Sequence, residues 1–204
     1  MHARLTMVEG DPARVDDLVA FVESNVRPLV DVQPGSRGMA LFVDRSTGKG
    51  GVSSFFDSAE DLAASASAVQ GVRDKAVELI AGTATVETFE VPVFNRLVAP
   101  GPGAWVRIVR THTDDSSTVD AAVEQFKAMT VPALVAVPGL CSVLLLVDRG
   151  TGNAATSTVW TDASALEASR EATLGIRSET LARTGLSLTS VEEYELVFTS
   201  AQPG

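Results

Sequence analysis

The sequence is poor in the residues that most often carry chemistry or cross-links. Its 204 residues hold one cysteine, two histidines and one tyrosine. A lone Cys141 closes no internal disulfide, which suits a reducing compartment. His2 and His112 stand in no Cys/His spacing, so a metal site would fall to carboxylates. The acidic pairs Asp16-Asp17, Asp114-Asp115 and Glu192-Glu193 read instead as helix caps and solvated strand edges. No metal and no cofactor is expected. Cations are scarce as well: Lys plus Arg number 16 against 26 Asp plus Glu, a formal charge of -10 with no basic run. Phosphate backbones and anionic membrane surfaces are repelled by such a chain, so neither nucleic acid nor a membrane is an expected partner. Long apolar runs are missing too, since Pro132, Pro138, Gly139 and Ser142 break up the stretch 131–147. Near the start, Glu9 and Asp11 interrupt any leader-like apolar segment, and a cytoplasmic protein is expected.

What the chain does have is an apolar content of 45%, enough for a full core, and an internal duplication. Val147-Asp148-Arg149-Gly150-Thr151-Gly152 repeats Val43-Asp44-Arg45-Ser46-Thr47-Gly48 at an offset of 104. Sliding residues 15–62 onto 119–166 gives 15 identities in 48 pairs, where composition alone would give roughly three. Ser65/Ser169, Gly71/Gly175 and Arg73/Arg177 keep the same offset, and after a small length change Val86-Glu87-Thr88-Phe89-Glu90 answers Val191-Glu192-Glu193-Tyr194-Glu195. A period this long marks a duplicated domain rather than a solenoid. Two repeats are expected, 1–98 and 104–199, joined by Pro100-Gly101-Pro102-Gly103.

Each copy reads as strand, capped helix, hairpin, helix, strand. The first strands lie near 4–8 and 105–111, and the caps fall at Asp11 before Pro12 and at Ser117. Val15, Leu18, Val19 and Val22, like Val119, Val123 and Phe126, recur at helical spacing. The second helices open at Ser58 and Asp162, and the last strands span 86–94 and 191–198. This βαββαβ order is that of a ferredoxin-like unit, an antiparallel sheet with both helices on one face. Its middle strands, Met39-Ala40-Leu41-Phe42-Val43 and Val143-Leu144-Leu145-Leu146-Val147, do not alternate apolar with polar, so both faces of each sheet are expected to be buried. Covering one sheet with the sister sheet satisfies that demand. The expected fold is α+β, with tandem ferredoxin-like repeats packed face to face as an intrachain barrel.

Trp160-Thr161-Asp162-Ala163-Ser164-Ala165-Leu166-Glu167-Ala168, a large aromatic at a strand end followed by a cap and a Leu/Ala helix, resembles the dimeric α+β barrel superfamily and, within it, antibiotic-biosynthesis-monooxygenase-like (ABM) domains. Phe56-Asp57-Ser58-Ala59-Glu60-Asp61-Leu62-Ala63 is its weaker counterpart. Most members build the barrel from two chains, so this one resembles a fused pair. The resemblance implies cofactor-independent oxidation, or binding, of an apolar or aromatic small molecule between the two sheets. A non-catalytic binding protein and a structural scaffold are the alternatives, as a monomer with pseudo-two-fold symmetry or a homo-oligomer. Heme degradation is not expected, because the strand Asn and the helix Trp and His of that branch are replaced by Arg110, Ser169 and Glu179, and in copy one by Thr6, Ser65 and Lys75.

The candidate site residues follow from position. His112 stands beyond a strand end and could act as a base near neutral pH. Arg107 shares a strand face with Trp105 and Val109, and either holds an anionic ligand oxygen or pairs with a carboxylate, while Arg110 points the other way. Trp160, Phe56 and Trp105 are candidate ligand walls or core. Cys141 is expected as a buried strand residue, and Gly48-Lys49-Gly50-Gly51 as a hairpin loop rather than a phosphate cradle.

Overall fold

A computed structural model describes residues 1–203. Its strands are β1 (His2–Glu9), β2 (Ser36–Asp44), β3 (Lys49–Phe56), β4 (Thr83–Arg96), β5 (Trp105–His112), β6 (Leu140–Asp148), β7 (Asn153–Trp160) and β8 (Ser187–Thr199). The hydrogen-bonded order is β1-β3-β2-β8-β5-β7-β6-β4, closed into a barrel, so the fold is α+β with an eight-stranded antiparallel barrel among the described residues. No helix of the described residues is long and apolar enough to cross a membrane.

The chain forms two compact units that divide inside the long strands rather than at the Pro/Gly link. One comprises residues 1–89 with 194–203, the other Glu90–Glu193. In the first, β3 pairs with β1 and with β2, and β2 also pairs with the C-terminal half of β8, Val43 opposite Glu195 and Ala40 opposite Thr199. The second repeats the plan: β7 pairs with β5 and β6, and β6 pairs with the C-terminal half of β4, Val147 opposite Glu90. Each repeat's last strand thus begins in its own unit and ends in the other.

The helices are more broken than the apolar spacing predicts. In the first unit α1 (Val15–Phe21) runs through a π segment, Val22–Val26, into α2 (Arg27–Asp31), and in the second α5 (Val119–Gln125) runs through Phe126–Thr130 into α6 (Val131–Val135). A proline, Pro28 or Pro132, follows each widened turn. Its ring cannot donate a hydrogen bond and crowds the carbonyl four residues back, a strain that one extra residue in the preceding turn relieves. The next helices are split as well, α3 (Ala59–Ala64) from α4 (Ala66–Leu79) at Ser65, and α7 (Ala163–Ala168) from α8 (Arg170–Thr184) at Ser169. Asp11, Ser58 and Asp162 cap as expected, accepting from the amides of Ala13, Asp61 and Ala165. The first cap of the second unit is Asp115 rather than Ser117: its carboxylate accepts from both the amide and the hydroxyl of Ser117, two bonds that a serine hydroxyl cannot match.

The non-alternating strands are buried as their sequence requires. Leu140 to Val147 are buried without exception, and so are Met39 and Leu41 to Val43. Met39, Leu41 and Val43 pack with Val15, Leu18 and Val22 on the helix side of one sheet; Val143, Leu145 and Val147 pack with Val119, Val123 and Phe126 on the helix side of the other. Removing each such side chain from water contributes roughly 1.5–3 kcal/mol.

Candidate functional site

The site grows out of the helix break at Ser169. There the Ser169 hydroxyl donates to the carbonyl of Leu166 at 2.6 Å, and that same carbonyl accepts from an Arg107 guanidinium NH2 at 3.0 Å. Arg107, only 3% exposed, also donates to Ser169 Oγ at 3.0 Å, to Thr173 Oγ1 at 2.7 Å and, through Nε, to Glu193 Oε1 at 2.8 Å. Glu193 is held in turn by Arg170 at 2.5 Å. Of the two fates expected for Arg107, carboxylate pairing is the one realised.

Beside Arg107 the sheet and helices of the second unit enclose a cavity of about 90 Å³. Its wall is mainly aliphatic, with Val109, Leu145, Val147 and Ala154 from the strands and Val123, Phe126 and Ile176 from the helices. Eight lining residues are threonines, which separates hydroxyls already engaged from those open to a guest. Thr130 and Thr180 bond each other at 2.9 Å, Thr173 holds Arg107, Thr158 accepts from Trp160 Nε1 at 3.1 Å, and Thr184 donates to the carbonyl of Thr180. Thr111 and Thr156 have no side-chain partner among the described residues, nor has the cavity-lining Arg177. Two hydroxyls and one cation on an aliphatic wall suit a compact apolar molecule carrying an oxygen. The lining contains no carboxylate, histidine, cysteine or tyrosine among the described residues.

The first unit carries the counterpart, about 60 Å³, in which valine or alanine replaces threonine: Val26 for Thr130, Val52 for Thr156, Val69 for Thr173 and Ala76 for Thr180. Each cavity is bounded by one sheet and its own helices, on the helix side of that sheet, whereas the space expected from the sequence lay between the sheets.

Of the residues singled out from sequence, Arg107 alone lines the second unit's cavity. Trp160 is fully buried beneath it, with the guanidinium 5.9 Å from the ring centroid, and Phe56 lies likewise under Arg4 at 6.0 Å. These aromatics floor the arginines rather than face a guest. Trp105 packs at the edge of the second core, opposite Trp160 in the β5–β7 ladder. Arg110 lies 3.8 Å from Glu192, outside the cavity wall. His112 is also outside it, on the surface, with Nε2 3.1 Å from Asp114 and Nδ1 2.9 Å from Asn153; the Asp114 bond, then Asn153, holds its pKa above the ordinary imidazole value. Cys141 is buried in β6, and burial pushes its thiol pKa up, the reverse of what a nucleophile needs. The sequence reading missed Arg4, Arg177 and the free threonines.

These features define the fold of the dimeric α+β barrel proteins. Solved structures that cover nearly the whole chain share the fold: a candidate monooxygenase of Fusobacterium nucleatum, FN1347 (TM-score 0.74, 13% identity, 100% of this chain and 95% of that one), an anthrone oxidase-like protein (0.67, 15%, 97% and 92%) and the heme-degrading enzyme LmHde of Listeria monocytogenes (0.50, 11%, 96% and 99%). No protein-family model matches the chain. The uncharacterized protein Rv2557 of Mycobacterium tuberculosis is 30% identical over 198 residues, covering 96% of this chain and 87% of its own length, and Rv2558 is 28% identical over 202 residues, covering 96% and 83%. The chain belongs to the family of Rv2557. Heme does not fit either cavity: neither lining includes a His, Cys, Met or Tyr to ligate its iron.

Proposed function

We propose that this protein binds a compact apolar or aromatic molecule carrying one or two oxygens in the cavity of its second unit, and oxidises it with molecular oxygen and no cofactor. The observation that carries the reading is the pairing of an aliphatic wall with the few uncommitted polar groups, Thr111, Thr156 and Arg177. The monooxygenase-like and anthrone oxidase-like neighbours supply the chemistry. In such a reaction the substrate loses a hydroxyl proton to solvent on entry, and its anion passes two electrons and the second proton onward, a diphenol and O2 becoming a quinone and H2O2. The protein's part is to keep out bulk water and stabilise the negative charge. Arg177 does the second, and the aliphatic wall does the first. Binding without turnover is the second reading, favoured by a lining that holds no general base.

Both are tested with hydroquinone and catechol. Trp105 and Trp160, the only tryptophans, lie in the second unit, so their fluorescence reports on this cavity. Saturable quenching is expected, weakened about tenfold by Arg177→Ala, the usual worth of a hydrogen bond to a charged group, and abolished when Leu145→Trp fills the space. Oxygen uptake that tracks occupancy supports oxidation, and occupancy without uptake leaves a binding protein. Equal quenching of wild type and Leu145→Trp would overturn the cavity assignment.

A further inference from the structure

Arg4 is the counterpart of Arg107 and keeps two of its four partners. Its guanidinium donates to Ser65 Oγ at 3.1 Å and to the carbonyl of Leu62 at 2.6 Å, as Arg107 does to Ser169 and Leu166. Two of the four partners are missing: Val69 stands where Thr173 does, and the carboxylate has no counterpart. Register identifies the position where it should stand: Arg149 pairs with Glu90, and its counterpart Arg45 pairs with Glu195, so Glu90 and Glu195 are equivalent and the residue two before each, Thr88 or Glu193, is equivalent too. A neutral, exposed threonine therefore occupies the place of the carboxylate. Among the described residues no carboxylate pairs with Arg4, and its Nε, the atom whose counterpart donates to Glu193, has no partner.

An arginine that is 5% exposed and lacks a counter-ion is an expensive feature for a fold to keep. A second cation, Arg73, lines the same cavity, and its charge adds to burial in pushing the Arg4 pKa below the ordinary guanidinium value. The remaining wall is mainly aliphatic, with Leu18, Val22, Val30, Leu41 and Val69, and carries two hydroxyls, Thr6 and Ser54. Two cations at one part of a small greasy chamber match a molecule with an anionic head and a short apolar tail. Four threonines of the sister cavity, Thr130, Thr156, Thr173 and Thr180, are here Val26, Val52, Val69 and Ala76, which suits such a tail.

We propose that the first unit's cavity is a binding site for a short-chain organic carboxylate, whose carboxylate supplies from the cavity the counter-ion that Arg4 lacks. The site is independent of the function proposed for the second unit, and its test is read separately. Sodium butyrate is titrated into the methyl-labelled full-length protein, with sodium chloride at matched ionic strength as the blank, and the valine and leucine methyl resonances are followed by NMR. Saturable shifts are expected at Leu18, Val22 and Leu41, and not at Leu145 or Val147. Thr88→Glu supplies an internal counter-ion and is expected to weaken binding at least about tenfold, whereas Thr88→Gln keeps wild-type affinity. Should Thr88→Glu fail to fold, Arg4→Met removes the anchor and is expected to lose the shifts. 1-Butanol, which has the tail without the charge, is expected to bind at least tenfold more weakly than butyrate. Absence of butyrate shifts, equal binding by wild type and Thr88→Glu, or sodium sulfate competing as strongly as butyrate would overturn the proposal, the last by reducing the site to one for any anion.

Discussion

At the scale of single residues, the two buried arginines show how one duplicated framework was completed in two ways. Arg107 is neutralised from within by Glu193, whose side chain is 21% exposed and is shared with Arg170. Removing one member of such a pair leaves the other short of partners in a poorly hydrated place, which is where most of the loss arises. Arg107→Leu is therefore expected to destabilise the protein by about 2–4 kcal/mol, read as a lowered urea midpoint at unchanged slope, because Glu193, Thr173 and the Leu166 carbonyl each lose a donor. A midpoint unchanged from wild type would mean that the pair is solvated and adds nothing. Arg107 was visible in the sequence as a charged residue in an apolar strand, but Arg4 was not visible as its twin. The offset of 104 that aligns most of the repeat sets Arg4 against Ile108. The ladders show the true relation, with Arg4 opposite Ser54 and Arg107 opposite Thr158, so the first strand is one residue out of step with the rest of the duplication.

At the scale of elements, the repeated hairpin is the best-specified piece of the chain. In both copies an aspartate closes the turn: Asp44 accepts from the Ser46 amide and hydroxyl and from the Thr47 hydroxyl, and Asp148 accepts from the Gly150 amide and from the Thr151 hydroxyl at 2.6 Å. Gly48 and Gly152 then take φ of +73°, and a Cβ at either would strike a backbone carbonyl, of Gly10 in one copy and Thr113 in the other. The Thr151 hydroxyl, against a smaller opposing effect of burial, holds the Asp148 pKa below the ordinary carboxylate value of 3.8. A carboxylate whose pKa falls on folding stabilises the protein above its unfolded pKa, and that contribution fades as pH drops through the folded value. Asp148→Asn is thus expected to lose about 1 kcal/mol at pH 7 and to converge on wild type in acid, below the folded pKa, as measured by thermal unfolding across pH. A constant gap at all pH values would assign the effect to shape rather than charge. The turn was legible because its residues are both local and particular. The π segments were not, although Pro28 and Pro132 stood in plain view: a proline announces trouble in a helix, while its resolution by widening rather than by ending depends on what the helix packs against.

At the scale of the whole molecule, the duplication and the unbroken apolar middle strands sufficed to read a barrel, since two-faced burial admits few other solutions. Where the cavities lie was not readable, because alternation tells which residues are buried but not which buried layer is imperfectly filled; Thr111, Thr156 and Arg177 look like ordinary surface positions until sheet and helix are brought together. The division of the chain carries a consequence of its own. The compact first unit needs residues 195–199 as partners for β2, and the second needs residues 90–96 as partners for β6, so a cut at the link 100–103 leaves each fragment holding a strand end that belongs to the other unit. An unpaired β2 would present bare backbone donors and acceptors along Ala40 to Val43, a strand with no polar side chain to protect it. Fragments 1–100 and 101–204, produced separately, are expected to be poorly soluble or to pair with themselves, and, produced together, to copurify as a stable one-to-one complex with the circular dichroism of the intact chain. Two soluble monomeric fragments with no affinity for each other would show that the exchanged strand ends are dispensable, and that each repeat closes its own sheet.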